Sequence, residues 1–431
     1  MNRTPTLRLG PTLMLVGAML ALAACSTQTY PNSTFTSHTD LNADINAVWN
    51  RVFVLGMAVF VIVELLLFYV IVRYRGKPGA PMPKQVHGNH TIEMIWTASP
   101  ILILIPIIVP TVKTTFKTQA PAAAGSLQVE VYGHQWWWEF RYPELGIVTA
   151  NELYIPTGKT VNFTLQTRDV VHSFWTPRLA GKRDLITNKV NHMWYTPDPA
   201  LAEDVFNGFC AEYCGTSHAN MRFRVYTVSQ QDFDSWARHQ KTEAIGSPAL
   251  AAARVAADSA ARRAPARASV IPAAAPAPVE DAGYVFPAGK MGAHTVPKTP
   301  MPASVKFDDA LLAQGDAARG RTLITTPANL GKAGCLTCHV IKGEQAYVND
   351  DVARGPNLTH VASRHTIAGG IYPLDPSHLA HWIKNAQVMK PGTSMNTFGL
   401  GEYSPLLKGK VTVGLTDAEI ADVVAYLLTL K

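Results

Sequence analysis

Cysteine is scarce, with five in 431 residues, so a scaffold stapled by many disulfides is excluded and stability must come from buried cores. Charge is scarce as well: Asp, Glu, Lys and Arg make up 16% of the chain, against about 25% in ordinary soluble domains. No basic patch interleaved with aromatics occurs, so nucleic acid is excluded as a partner despite a formal net charge of +7. That excess is local. Met301–Lys431 carries 12 Lys and Arg against 11 Asp and Glu, and much of the surplus sits at Arg254, Arg262, Arg263 and Arg267 and in a short loop near residue 75. The length suggests two or three domains.

What is present starts with a targeting segment. Arg3 and Arg8 precede a short apolar run that ends in Leu22-Ala23-Ala24-Cys25, the order of an export signal over residues 1–24. A cysteine directly after small residues resembles the bacterial lipoprotein signal, which implies a lipid on Cys25. A plain signal with a chance cysteine is the alternative. Residues 25–117 then hold two apolar runs. Val52 to Val72 is roughly 31 Å long as a helix, enough to cross a bilayer. Ile95 to Val112 is a second span, read as broken by Pro100, Pro106 and Pro110. The expected hairpin covers about 48–73 and 91–112. Arg73, Arg75, Lys77 and Lys84 between the spans mark the cytoplasmic side, which places everything after about Lys113 on the outer face. Glu64 lies in the first span, where a charge needs a partner or a proton. Glu93 lies where the second span begins, and its bland reading is an interfacial residue.

From Leu127 to about Val228 the pattern changes to short alternating strands, as in LQVEVYGHQWWWEFRY and MRFRVYTVS, which indicates a β-sandwich or barrel. Read as a strand, HQWWWEF points Trp136 and Trp138 one way and Trp137 the other. Inside this region stands CAEYCGTSHANM, residues 210–221, with DVVHSFW upstream. Zinc would accept two thiolates and two imidazoles but has no use for a thioether. A mononuclear blue-copper site uses one thiolate, two histidines and a weak axial methionine. Two thiolates, two imidazoles and a methionine overfill either and suit a pair of coppers bridged by both sulfurs. A structural disulfide is the other alternative, and it leaves His218 and Met221 unexplained.

These residues resemble the dinuclear copper (CuA) loop of cytochrome c oxidase subunit II, and the resemblance covers roughly residues 40–235. It implies a cupredoxin-like domain over 118–242 in which Cys210 and Cys214 bridge two coppers. His172, His218, Met221 and the backbone carbonyl of Glu212 complete the site. It further implies that the Glu212 side chain reaches a magnesium ion shared with the catalytic subunit. Trp136 becomes the surface residue where electrons enter, and Glu93, followed by Met-Ile-Trp-Thr, opens a proton-uptake path. Trp137 departs from the family, which more often has tyrosine there.

Ser247 to Glu280 holds 15 alanines in 34 residues, a linker composition, and the tether is read over 243–302. Beyond it, Cys335-Leu336-Thr337-Cys338-His339 is the C-x-x-C-H of covalent haem c attachment, with His339 as proximal ligand. A thioredoxin-like pair or half a zinc site is opposed by the histidine and by the absence of a second C-x-x-C. Met389 and Met395 both qualify by position as sixth ligand. VMKPGTSMNTFGL resembles the loop of class I cytochromes c and favours Met395, and Gly355-Pro356-Asn357-Leu358 resembles the segment supporting the proximal histidine. The closing LTDAEIADVVAYLLTLK reads as an amphipathic helix capped by Thr416. Residues 303–431 are therefore expected to form an all-α cytochrome c domain.

The whole looks like subunit II of a caa3-type oxidase, in which electrons pass from haem c to CuA. A separate catalytic subunit would then reduce oxygen to water and pump protons. This chain has no bilayer-embedded histidine cluster for that reaction. The implied partners are the catalytic subunit I and subunit III, with cytochrome c or an upstream respiratory complex as donor and membrane lipid around the spans. The implied location is the bacterial inner membrane. A membrane-tethered copper-delivery protein would need exchangeable ligands and no haem. A nitrous oxide reductase would be soluble, and a quinol-oxidase subunit II would lack the copper ligands.

Overall fold

The structure is a computed structural model that describes residues 17, 19, 30–76, 78–79, 81–82, 84–201, 203–244, 283–344 and 348–431. Cys25, nearly all of the leader and residues 245–282 of the tether lie outside the described residues. The chain forms two long apolar helices, a two-sheet β domain and a mainly helical domain.

Helix α1, Asp40–Arg73, starts well before the expected 48. Thr39 caps it by accepting the Asn42 N–H, and Leu41 and Asn42 are buried against the β domain. Asn42 Nδ2 donates to the Arg178 carbonyl at 3.0 Å. The first turns thus belong to the β domain, and the apolar remainder is exposed. Helix α2, His90–Gln119, is capped by Asn89 and runs uninterrupted through Pro100, Pro106 and Pro110. This corrects the expected break. Each proline removes a single N–H, and apolar neighbours leave the other backbone groups no partner but the helix itself. Both helices are long and apolar enough to span a membrane, and Lys117 pairs with Asp44 where they meet the β domain.

That domain has ten strands: β1 Leu127–His134, β2 Trp137–Tyr142, β3 Ile147–Ala150, β4 Glu152–Pro156, β5 Val161–Thr167, β6 His172–Trp175, β7 Arg183–Leu185, β8 Asn191–Tyr195, β9 Asp204–Cys210 and β10 Arg222–Val228. They form two five-stranded sheets, ordered β3-β2-β1-β5-β8 and β4-β10-β9-β6-β7. Pairing is antiparallel except at β1–β5 and β4–β10. Period-two alternation sends Trp138, Phe140, Phe163, Phe174 and Phe223 inward, all fully buried, with Phe174 and Phe223 stacked at 4.7 Å. Helix α3, Gln230–Lys241, closes the domain, with Trp236 stacking on Tyr154 at 4.8 Å.

Residues 283–302 were expected to be the end of the tether, but they follow the β domain closely. Phe286 is buried in its core, and Arg224 Nε donates to the Thr295 carbonyl at 2.7 Å. Alanine-rich composition ends before this stretch, and one aromatic anchor is enough to fasten it.

The last domain has a separate core. Its main helices are α4 Ala317–Thr325, α5 Pro376–Met389 and α6 Asp417–Leu427, joined by two short ribbons, Thr366–Ile367 with Tyr372–Pro373 and Tyr403–Ser404 with Gly409–Lys410. Thr416 caps α6 as expected, in a capping box with Glu419.

Candidate metal centre

Three elements bring the expected copper ligands together. Strand β9 delivers Cys210 at its end, strand β6 delivers His172 at its start, and a loop with a single turn at His218–Asn220 returns the chain to β10 through Met221. The Cys210 and Cys214 sulfurs lie 3.7 Å apart, far beyond the roughly 2 Å of a disulfide, so both thiols are free. Each faces its own imidazole: Cys210 Sγ lies 3.8 Å from His172 Nδ1 and Cys214 Sγ 3.6 Å from His218 Nδ1. The Met221 sulfur is 3.8 Å from Cys214 Sγ, and the Glu212 carbonyl is 3.2 Å from Cys210 Sγ. All six expected donors therefore converge, and the soft, sulfur-rich set fits copper.

The electrostatics suit a cation. The hydrogen bond between the two sulfurs, together with that to His172, outweighs burial and lowers the Cys210 pKa. The same hydrogen bond, with burial and then the charge on Cys210 behind it, raises Cys214. The lowered Cys210 value favours the thiolate form that soft-metal binding requires. Asp169, three residues ahead of His172, carries no local signal of a role in the sequence. Its Oδ1 lies 2.7 Å from His172 Nε2 and so turns Nδ1 toward the sulfurs. Burial lowers the His172 pKa, but Asp169 and Cys210 outweigh it and raise it. Gly133 makes room for that ring, since a Cβ there would stand 2.6 Å from His172 Cδ2.

Trp136 is not on a strand. It occupies the turn between β1 and β2, so the alternation expected across three tryptophans holds only for Trp137 and Trp138. Trp137 stacks on His134 at 4.1 Å. Trp136 Nε1 donates to the Cys214 carbonyl at 2.9 Å, which binds the ring to the copper loop. It is 8% exposed, because the last domain covers it.

In that domain His339 Nδ1 donates to the Pro356 carbonyl at 2.7 Å, which leaves Nε2 as the nitrogen available to an iron. Gly355 lies against the same ring; a Cβ would fall 2.5 Å from Cε1. Cys335 and Cys338 flank a short turn and are half-buried. These residues fit a covalently held haem. Met389 ends α5 inside the apolar core, 3% exposed, whereas Met395 is on the following loop and half-buried. Glu93, at the far end of α2, is distant in the fold from these centres, and its Oε1 accepts the Asn89 N–H at 3.1 Å.

The two metal-bearing domains touch over a surface that sequence reading did not find. Lys390 Nζ donates to the Trp136 carbonyl at 2.5 Å and the Ala368 carbonyl at 2.8 Å. Burial pushes that ammonium down to about 7. Ser217 Oγ donates to the Pro391 carbonyl at 2.5 Å, and the Arg222 N–H to the Gly369 carbonyl at 2.9 Å. Arg141 reaches Asp351 at 2.5 Å. Locally, the K-P-G motif at residues 390–392 marks one side of this contact.

Comparison with known proteins agrees with this geometry. Residues 31–114 match the family "Cytochrome C oxidase subunit II, transmembrane domain", residues 146–228 match "Cytochrome C oxidase subunit II, periplasmic domain", and residues 317–431 match "Cytochrome c". Cytochrome c oxidase subunit 2 of Alkalihalophilus pseudofirmus is 40% identical over 44% of this chain and 57% of that protein. The chain thus spans little more than half the length of that relative. The probable cytochrome c oxidase subunit 2 of Rickettsia bellii is 30% identical over 42% of this chain and 74% of that protein. The solved periplasmic domain of subunit II of cytochrome oxidase from Bradyrhizobium japonicum is 27% identical, covering 28% of this chain and 96% of that one with a TM-score of 0.26. A thiolate–imidazole–thioether cluster in a two-sheet domain, two apolar helices and a C-x-x-C-H domain all lead to one conclusion: the chain belongs to the cytochrome c oxidase subunit II family and carries a cytochrome c domain.

Proposed function

We propose that this chain is the electron-accepting subunit of a respiratory haem–copper oxidase. It passes electrons from its own haem c to a dinuclear copper centre and on to a separate catalytic subunit, which reduces O2 to water and pumps protons. The observation that carries the reading is the pairing of each cysteine sulfur with one imidazole, at 3.8 and 3.6 Å. That symmetry suits two metals bridged by both sulfurs better than one. When bound, the copper pair and the haem each take up and release a single electron.

The chain's own residues hold these groups rigidly. Asp169 orients His172, the Trp136 indole orients the Cys214 carbonyl, and buried aromatics exclude water from the β core. A stiff, dry surround keeps reorganisation small on electron transfer. Cys335 and Cys338 would attach the haem, and His339 and Met395 would hold its iron, because the Met389 side chain is packed in the core. A histidine–methionine pair favours a high potential. Glu212 offers its side chain to a magnesium ion at the boundary with the catalytic subunit, and Glu93 stands where protons enter.

The basic loop between α1 and α2 faces the cytoplasm. The chain is then a two-span protein of the bacterial inner membrane, with both metal domains outside and Cys25 lipidated after removal of residues 1–24. Its partners are the catalytic subunit I and subunit III, and the donor is a cytochrome c or an upstream complex. The test is metal content and electron paramagnetic resonance of the purified full chain. Two coppers sharing one unpaired electron, with one covalent haem, is the expected result. One copper with a localised spin would overturn the reading and favour copper delivery.

A further inference from the structure

The contact between the two metal-bearing domains is unusually specific around one side chain. Lys390 is 2% exposed, and its ammonium lies between two carbonyls from different domains, Trp136 and Ala368. It follows α5 directly and is five residues ahead of Met395. Next along the chain, the Pro391 carbonyl takes the Ser217 hydroxyl, and Ser217 adjoins His218. Gly392 then passes so close to the indole that a Cβ would stand 2.7 Å from Trp136 Cη2, at a φ of +87° that also favours glycine. Across from it, Gly369 leaves room for Lys390 Nζ, 2.4 Å from where its Cβ would be.

A buried ammonium without a carboxylate is costly. Among the described residues its hydrogen-bond acceptors are those two carbonyls. An apolar side chain of similar length would fill the same space at less cost. What the lysine adds is direction: it fixes the Met395 loop to the backbone of Trp136, whose indole is hydrogen-bonded to the Cys214 carbonyl.

We propose that Lys390 is the positioning residue for electron transfer between the domains, holding the Lys390-Pro391-Gly392 loop against Trp136 and Ser217 so that the two metal sites keep one fixed separation. The same loop covers Trp136, so a soluble donor does not reach the copper centre through that indole. This rests on the oxidase reading above.

The test uses the full chain in its complex and compares wild type with Lys390→Met and Lys390→Arg. Two readouts are taken: the rate of copper reduction after photoreduction of the haem, and hydrogen exchange of the backbone at residues 215–222 and 367–371. Lys390→Met is expected to slow transfer roughly tenfold or more, as small misplacements do, and to raise exchange in both segments. The haem absorption and copper resonance should stay unchanged, and Lys390→Arg should recover part of the rate. Transfer within about twofold of wild type in Lys390→Met, with both centres intact, overturns the proposal. Wild-type protein without the two-copper resonance, or with no copper reduction after the haem flash, would instead sink the oxidase reading itself.

Discussion

Glu152 of the β domain and His365 of the cytochrome domain meet across the domain boundary, with Oε2 and Nδ1 3.6 Å apart. The other carboxylate oxygen accepts the backbone N–H groups of His365 and Thr366 at 2.8 and 2.9 Å and the Thr366 hydroxyl at 3.1 Å. His365 Nε2 donates to the Phe286 carbonyl at 2.8 Å, so Nδ1 carries a proton only when the ring is charged. Burial alone would lower His365, but Glu152 outweighs it and raises its pKa. Burial alone would raise Glu152, but His365, with help from Arg364, lowers it.

The signs set a pH window for docking. The raised histidine contributes fully below its ordinary value of 6.5, and this contribution is lost as pH rises through the docked value. The lowered carboxylate contributes above its ordinary value of 4.5 and is lost as pH falls through the docked value. Docking through this pair is therefore strongest between those two ordinary values. Hydrogen exchange at residues 365–371, compared at each pH with Glu152→Gln, should show the wild type's advantage there and its decline toward alkaline pH. The substitution should cost docking about 1 kcal/mol. An advantage that does not vary with pH would remove the pair from the interface's energetics.

Asp169→Asn tests the support behind His172. The amide keeps the shape but can present an N–H to Nε2, which removes the charge and permits the wrong ring orientation. Copper affinity is expected to fall about 10- to 100-fold, measured by competition with a chelator, while the β domain's melting temperature without copper changes little. Unaltered copper affinity would mean that the packing of His172 against Gly133 alone sets the ring.

The crossing of α4 and α6 depends on the absence of a side chain. A Cβ on Gly320 would stand 1.9 Å from the Asp422 carbonyl oxygen, and Arg319 pairs with the Asp422 carboxylate at 2.8 Å in the same place. Backbone cannot yield as a side-chain tip can. Gly320→Ala is predicted to destabilise the cytochrome domain by about 1–3 kcal/mol, seen as an earlier transition in denaturant that is followed through the haem. An unshifted midpoint would show that the helices can separate at little cost.

These relationships differ in how far the sequence betrays them. The expected copper donors could be proposed from the sequence because five of the six fall within residues 210–221, where a local loop can gather them. The C-x-x-C-H motif, the basic loop between the spans and the Thr416 cap are local in the same sense. Lys390 and Trp136 are 254 positions apart, and Glu152 and His365 are 213 apart, so no periodicity or spacing links them. Trp136 was misplaced because a hairpin turn inside HQWWWEF interrupts the alternation. The prolines of α2 misled for another reason: a breaker in water is tolerated where the surroundings offer no competing partner. Phe286 shows a third kind of failure, since one buried ring fastens a stretch that was counted with the tether although the alanine-rich composition ends before it.

Met389 and Met395 present the sharpest choice left by the sequence, and their surroundings differ. Met389 closes α5 with its side chain in the apolar core, while the Tyr372 hydroxyl donates to its carbonyl at 2.9 Å. Met395 is on the loop beyond Gly392, half-buried, with the Gln387 amide donating to its carbonyl at 3.2 Å. A core methionine exchanged for leucine conserves volume and typically costs under about 1.5 kcal/mol. Met389→Leu should therefore lower stability slightly and leave the oxidised haem's sulfur-to-iron absorption in place. Met395→Leu should abolish that absorption and lower the haem potential, because the thioether is what favours the reduced iron. The two variants need no assumption about the partner subunits, since both signals are read from the haem of the isolated chain. The reverse pattern, with the band lost in Met389→Leu and kept in Met395→Leu, would reassign the ligand and require α5 to end differently when haem is bound.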